Sequence, residues 1–478
     1  MAKTIVVNMV PEEARMALLE DGELVEAVVE RSGSGHIVGN IYKGKVQNVL
    51  PGMQAIFVDI GRDKNGFLYS GDLGDEARPG SKTEPLSVGR EIAVQVTKDA
   101  LGTKGPRLTN ELTLPGRYVV LMPTVEFSGV SRRIGSEEER RRLREVADRV
   151  RPKGMGIIIR TVAEGKSADD LTKDIEYLVN MWNALEARFK RAKAPMLLYR
   201  DVDLVIRLVR DYLAADVEKF VVDNREAYGR VNDLLRFTSP ELADRLELYE
   251  GAEDIFTCYG IDSELEKLQE RRVWLKCGGY LVIDRTEALT VIDVNTGRFV
   301  GRTALWDTVF QTNLEAAAEI ARQIRLRDIG GIIIIDFIDM DKEEHQQAVL
   351  AALEDRLKKD RTKTSVLGIT RLGLVEMTRK KARQDLETVL YGECPWCEGR
   401  GLIRSPETVA IAVRRELRKL NKLEPAGKPL IIQVGPRVAE ELKRQGELER
   451  LAKELSRQLV VEEVPTMHGE AYCILQGK

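Results

Sequence analysis

Two aspartates carry the most chemical promise in this sequence. Asp293 follows the apolar run LTVI, and Asp336 follows GIIII. If these runs are neighbouring strands, both carboxylates reach one edge of one sheet. Hard oxygen donors so arranged suit Mg²⁺ or Mn²⁺. Asn295 lies two residues beyond Asp293 and faces the same side if the strand persists. Its amide could orient a water or a scissile phosphate. Phosphodiester hydrolysis needs an activated water and neutralised charge, and a bound metal can supply both. A pair of strong ligands predicts one ion, with waters completing its octahedron; Asp339 is a weaker candidate. Either aspartate alone could instead cap a turn. Gly297 predicts a tight turn close to ligand. No Walker-type loop occurs, which argues against a P-loop ATPase.

A second constellation is GECPWCEGRG, which sets Cys394 and Cys397 in a glycine-flanked knuckle. C-x₂-C spacing offers two thiolates to tetrahedral Zn²⁺. Cys258, Cys277 and Cys473 are isolated, and the histidines are only His36, His345 and His468. A four-thiolate site could therefore form if two subunits each gave one pair. Such a metal would couple assembly to zinc. The rival readings are inert thiols and a thioredoxin-like redox pair, which the flanking glycines fit poorly.

Two further sets could touch nucleic acid. Phe57 and Phe67 flank the turn GRDKNG, and Lys43, Lys45, Lys104 and Arg107 bring positive charge to the same region. Aromatics beside cations suit base stacking, unless both rings belong to the core. Arg160 and Thr161 end the apolar run of GMGIIIRT. An arginine and a hydroxyl there could clasp a phosphate, or the arginine could form a surface salt bridge.

These residues need a scaffold of several domains. The 478 residues exceed one core, so roughly three to five domains are expected. Residues 1–35 read as short strands (KTIVVNMV, GELVEAVVE), too little to stand alone. Residues 36–116 alternate short strands with glycine-rich turns, the rhythm of a small β-barrel. In 117–200, Ser136 and Glu139 predict a capping box, and a long helix ends near Pro195. Residues 201–268 read as helix, the strand KFVVD and helix, and could complete the fragment begun by 1–35. Residues 269–390 have strands apolar almost throughout, predicting a helix-covered sheet. Residues 405–478 read as a small helix-and-strand module; His468 and Cys473 there show no ligand spacing.

Composition narrows the class. Apolar content of 43% and charged content of 32% fit a water-soluble protein. No apolar run reaches the roughly 18 residues of a membrane span, and the start lacks a signal-type core. A cytoplasmic location is expected. Net charge is −3, from 74 basic and 77 acidic residues, so an RNA enzyme must gather its positive charge locally.

Taken together, GGYLVIDRTEALTVIDVNTGRFVG, GGIIIIDFIDM, RLGLVEMTRK and GECPWCEGRG resemble the ribonuclease E/G family. The resemblance covers nearly the whole chain and implies an α/β multidomain protein. Its parts would be a split RNase H-like domain (1–35 and 201–268), an OB-type RNA-binding barrel (36–116) and a 5′-phosphate sensor region (117–200). A DNase I-like catalytic domain (269–390), a zinc link (391–404) and a small α/β C-terminal domain (405–478) would follow. By motif, Asp293 and Asp336 would hold Mg²⁺ and Asn295 would orient the scissile phosphate. Phe57 and Phe67 would pack on RNA bases, with Lys104 and Arg107 beside them. Arg160 and Thr161 would read a 5′-monophosphate, helped by the backbone near Gly129 and Val130. Cys394 and Cys397 would give half of a Zn²⁺ site shared in a homodimer or homotetramer.

The implied activity is endonucleolytic hydrolysis of single-stranded, often A/U-rich RNA, leaving a 5′-phosphate on the downstream product. The implied roles are ribosomal RNA maturation and messenger RNA decay. With no long tail after the small domain, the pattern is closest to the shorter ribonuclease G form. Alternatives are a noncatalytic RNA-binding or ribosome-assembly factor, and a metal-dependent phosphatase or DNase.

Overall fold

The computed structural model describes residues 2–31, 37–72, 86–100, 104–201, 204–214, 216–297, 305–381, 385–423 and 428–477. His36, and residues 298–301 that end the motif GGYLVIDRTEALTVIDVNTGRFVG, lie outside them. The chain divides into two compact units, Met1–Val389 and Leu390–Lys478.

In the first unit, Lys3–Met9 is the middle strand of a sheet built from both ends of a long stretch of sequence. It runs parallel to Val217–Val222 and antiparallel to Glu13–Glu20. Leu246–Leu248 and Glu23–Arg31 form the edges. Ile5 and Val7 are buried with Leu208 and Val209 of the helix Leu204–Tyr212 and Val231 and Leu235 of the helix Arg225–Thr238. Glu13–Glu20, with sequence EARMALLE, is a strand that the sequence pattern did not disclose. Its residues favour helix by less than about 1 kcal/mol each. Burying Met16 and Leu18 outweighs that preference, at roughly 1.5–3 kcal/mol per large side chain.

A closed five-strand barrel follows, consistent with an OB-type fold. Ile41–Leu50, Ala55–Asp59, Gly66–Tyr69, Arg107–Thr109 and Glu91–Lys98 pair in that order, and Glu91–Lys98 returns to Ile41–Leu50. Val46, Ile56, Val58, Leu68, Val94 and Leu108 fill the inside. The interior is tight: a Cβ at Gly66 would stand 2.4 Å from Leu108.

Next come Val119–Met122, Ser128–Val130 and Gly156–Ile159, with the helices Glu137–Val150 and Ala168–Arg191. The expected capping box at Ser136 is only half formed. Ser136 accepts from the Glu139 N–H, but the Glu139 carboxylate binds Arg142 and the Gly165 N–H instead. A reciprocal box does occur between Ser167 and Asp170.

The last sheet of the unit has the order Arg272–Trp274, Tyr280–Arg285, Leu289–Asn295, Gly331–Asp336, Val375–Arg379, Thr364–Ile369. Only Leu289–Asn295 and Gly331–Asp336 run parallel, joined across the helix Leu305–Leu326. That helix and Glu343–Leu357 bury Leu281, Ile292, Val294, Ile333 and Ile335. The expectation of a helix-covered sheet holds for that face. The other face lies at the surface, where Ile332 is 50% exposed.

The second unit carries the cysteine knuckle and a three-stranded sheet, in which Leu430–Val434 pairs parallel with Leu459–Glu463 and antiparallel with Tyr472–Gln476. The helices Pro406–Leu423, Pro436–Lys443 and Glu447–Leu455 share its core. Among the described residues, no helix is long and apolar enough to cross a membrane.

Candidate functional site

The parallel pairing of Leu289–Asn295 with Gly331–Asp336 decides where the carboxylates meet. It places Asp293 directly beside Asp336 on neighbouring strands. Strand spacing puts the two backbones roughly 5 Å apart. Ile292 and Val294 point into the core, so Asp293 and Asn295 point to the open face. Asp336 shares that face, since its neighbours Ile335 and Phe337 are buried. The Asn295 amide donates to Asp293 at 2.8 Å. Asp336 is pushed above the usual carboxylate range by partial burial, with the charges of Asp293 and Asp339 adding to the effect. A divalent cation would relieve that crowding, so the donor set fits Mg²⁺ or Mn²⁺. Among the described residues, no group of three or more His, Cys, Asp or Glu is arranged to hold a metal. What the two strands bring together is the pair Asp293 and Asp336.

The chain has the matching kinship. A model of the ribonuclease E/G family matches residues 113–382. Ribonuclease G of Salmonella typhimurium (strain SL1344) is 46% identical over 457 residues, covering 93% of each chain. The chain belongs to the ribonuclease E/G family. Ribonuclease G of Haemophilus influenzae is 44% identical, covering 92% of each chain. Ribonuclease E of Nostoc (strain PCC 7120) is 41% identical over 82% of this chain and 58% of its own length. This family member thus matches those ribonucleases G nearly end to end, and that ribonuclease E over part of its length.

The barrel brings Phe57 and Phe67 together as a cross-strand pair, edge to face with ring centres 6.1 Å apart. Both rings are half-buried and lie outside the barrel core, whose members are their sequence neighbours Ile56, Val58 and Leu68. Arg107 pairs beside Phe67, and both Arg107 and Lys104 are exposed. Lys43 does not join this surface. It is buried, donates to the carbonyls of Phe189 and Ala192, and pairs with Glu91 at 2.8 Å. Lys45, two residues on, is exposed. By alternation the two lysines share one side of the strand, and Lys43 is the one buried where Phe189 and Ala192 pack over it.

Arg160 and Thr161 follow the strand Gly156–Ile159, which runs parallel to Ser128–Val130. This brings Gly129 and Val130 alongside them. Thr161 shares a 2.9 Å hydrogen bond with Ser131. The Arg160 guanidinium donates to the Gly116 carbonyl and to Asp211. Asp211 in turn receives two hydrogen bonds from Arg210. These arginines hold Asp211 below the usual carboxylate range despite burial. Sequence reasoning missed Asp211 because it lies 51 residues from its partner.

In the second unit, Cys394 is exposed and Cys397 half-buried. Backbone N–H groups of Trp396 and Cys397 bond the Cys394 sulfur and draw its thiol below the ordinary range. His468, which carried no sequence signal, stacks on Trp396 with ring centres 4.9 Å apart and reaches its carbonyl at 2.7 Å. It braces the knuckle from 72 residues away. His345 stacks on Phe310 and has a packing role. Cys277 is half-buried, its N–H bonded to Glu315.

Proposed function

We propose that this protein is an endoribonuclease that hydrolyses phosphodiester bonds in single-stranded RNA. The observation that carries the reading is the Asp293–Asp336 pair, in register with Asn295 on an open sheet face, in a ribonuclease E/G chain. Asp293 and Asp336 would hold Mg²⁺. When bound, the ion supplies charge neutralisation at the phosphate and a water of lowered pKa. Asn295 orients the scissile phosphate through its amide while keeping Asp293 aligned. Phe57 and Phe67 offer π faces to unpaired bases, and Lys104 and Arg107 meet the backbone. Arg160 and Thr161, with the backbone near Gly129 and Val130, receive a 5′-monophosphate, which stimulates cleavage. Cys394 and Cys397 give two thiolates to a Zn²⁺ shared between subunits of a homodimer or homotetramer. The amides at Cys394 favour the thiolate such a site needs. The setting is cytoplasmic ribosomal RNA maturation and messenger RNA decay.

The test uses single-stranded RNA bearing a 5′-monophosphate or a 5′-hydroxyl, incubated with protein and Mg²⁺. Wild type is expected to cut internally, faster on the monophosphate. Asp293→Asn and Asp336→Asn are each expected to lose at least roughly 100-fold in rate. Equal rates on both RNAs would remove the sensor role of Arg160 and Thr161. No cleavage by folded, zinc-loaded wild type on several RNAs would leave a noncatalytic RNA-binding protein.

A further inference from the structure

The open face that bears the carboxylates also bears an aromatic pair. Arg272–Trp274 is the edge strand of that sheet. Trp274 pairs opposite Tyr280, and Tyr280 opposite Asn295. Arg272 pairs opposite Val282, and Val282 opposite Asp293. Residues directly opposite in a ladder project to the same side. Trp274, Tyr280 and Asn295 therefore form one row across the face, and Arg272, Val282, Asp293 and Asp336 form the next. Strand spacing puts Tyr280 roughly 5 Å and Trp274 roughly 10 Å from Asn295 along that row.

The Trp274 and Tyr280 rings lie 5.3 Å apart, tilted by 59°. The Arg272 guanidinium lies 5.2 Å from the centre of the Tyr280 ring. Trp274 remains 51% exposed. The turn after Asn295 presses on the pair from one side, since a Cβ at Gly297 would stand 3.1 Å from the Tyr280 ring. A cross-strand aromatic pair contributes about 0.2–1 kcal/mol to its hairpin. That accounts for the pairing. It does not account for a half-exposed indole and a cation on the same face as the carboxylates.

We propose that Trp274, Tyr280 and Arg272 form a nucleobase-stacking subsite for single-stranded RNA, one to two nucleotides from the scissile phosphate. This rests on the nuclease reading of Asp293 and Asp336. The indole takes the face of an unpaired base, and Arg272 meets the adjoining phosphate. Every base has a π face, so the subsite tolerates sequence. A base held inside a duplex cannot reach it, so the subsite selects single strands.

An abasic scan tests this. Single abasic nucleotides are placed at successive positions around a mapped cut in a fluorescent RNA. Affinity is read by anisotropy of the zinc-loaded protein in Mg²⁺-free buffer, and cleavage of the intact RNA is followed in parallel with Mg²⁺. In wild type, one abasic position beside the cut is expected to weaken binding roughly 5- to 150-fold. In Trp274→Ala, and in Trp274→Leu, which keeps apolar cover over the hairpin, that position becomes indifferent. Other positions keep their penalties, and Trp274→Phe restores the pattern. An abasic profile in both variants identical to wild type would overturn the proposal. So would a changed sedimentation coefficient with the profile intact, which would make the face a contact between copies. Wild-type cleavage in either of those cases keeps the nuclease reading standing. Wild type that neither binds nor cuts single-stranded RNA would remove both.

Discussion

Asp293 and Asp336 set two carboxyls side by side, and the pKa of Asp336 is raised first by partial burial and then by the charges of Asp293 and Asp339. A divalent cation should therefore stabilise the fold as well as serve chemistry. At ten times its dissociation constant, Mg²⁺ is expected to raise the melting midpoint by roughly 1–3 °C. Asp293→Asn should abolish that rise, as read by scanning calorimetry with and without added Mg²⁺. Glu139 shows the opposite electrostatics. Arg142, then the Gly165 N–H, hold its carboxyl down at about 2. A depressed carboxyl adds stability above its unfolded pKa, and this is lost as pH falls through the folded value. The difference in stability between wild type and Glu139→Gln should be full at pH 7. It should fade between about pH 4.5 and pH 2. Water reaches the pair, so the difference stays below about 1 kcal/mol. The two lysines of the barrel show how little residue type says alone. Lys43 and Lys45 share a strand, yet one is buried on carbonyls and the other faces solvent.

At the scale of elements, the strand that bears Asp336 depends on a neighbour. Gly331–Asp336 is flanked by Val375–Arg379, whose Arg379 pairs opposite Gly331. The Arg379 guanidinium is buried between Asp360 and Asp328. Removing one partner of a buried ion pair strands the other charge in a medium that solvates it poorly. Arg379→Leu is expected to destabilise by about 3–5 kcal/mol. Urea unfolding followed by circular dichroism would read this. Activity per folded molecule should remain near wild type, because Arg379 lies at the opposite end of the strand from Asp336. The apolar strands and their helical cover were legible in sequence, because strand and helix periodicities differ; the parallel pairing of Leu289–Asn295 with Gly331–Asp336 was not. EARMALLE was not, because its residues suit a helix and only its partners on both sides make it a strand.

For the whole molecule, the proposed zinc link is the variable to test. Two thiolates per chain would leave a tetrahedral ion half-satisfied, so under the proposed zinc link a second chain would complete it. Purified protein is expected to hold about one Zn²⁺ per two chains. A chelator, or Cys394→Ser with Cys397→Ser, should lower the assembled mass in sedimentation while leaving each chain folded. Unchanged mass with no zinc would return the cysteines to inert thiols. His468 adds a check on the same knuckle. His468→Ala removes the ring stacked on Trp396, and should speed zinc loss to a chromophoric chelator.

The sequence by itself determined which groups are available and in what local register: an aspartate and an asparagine two apart on a strand, a second aspartate at the end of another, and two cysteines in a glycine-flanked turn. Those are short-range facts, set by strand and turn periodicity. Kinship motifs carried the reading further than periodicity could. Only the tertiary structure decided that Asp293 and Asp336 are adjacent, that the face bearing them is open, and that Trp274 and Tyr280 share it. It also decided that Arg160 is held by Asp211 and the knuckle by His468. Each of these joins residues from different elements. Strand order and packing bring them together, and no local pattern records which strands will pair.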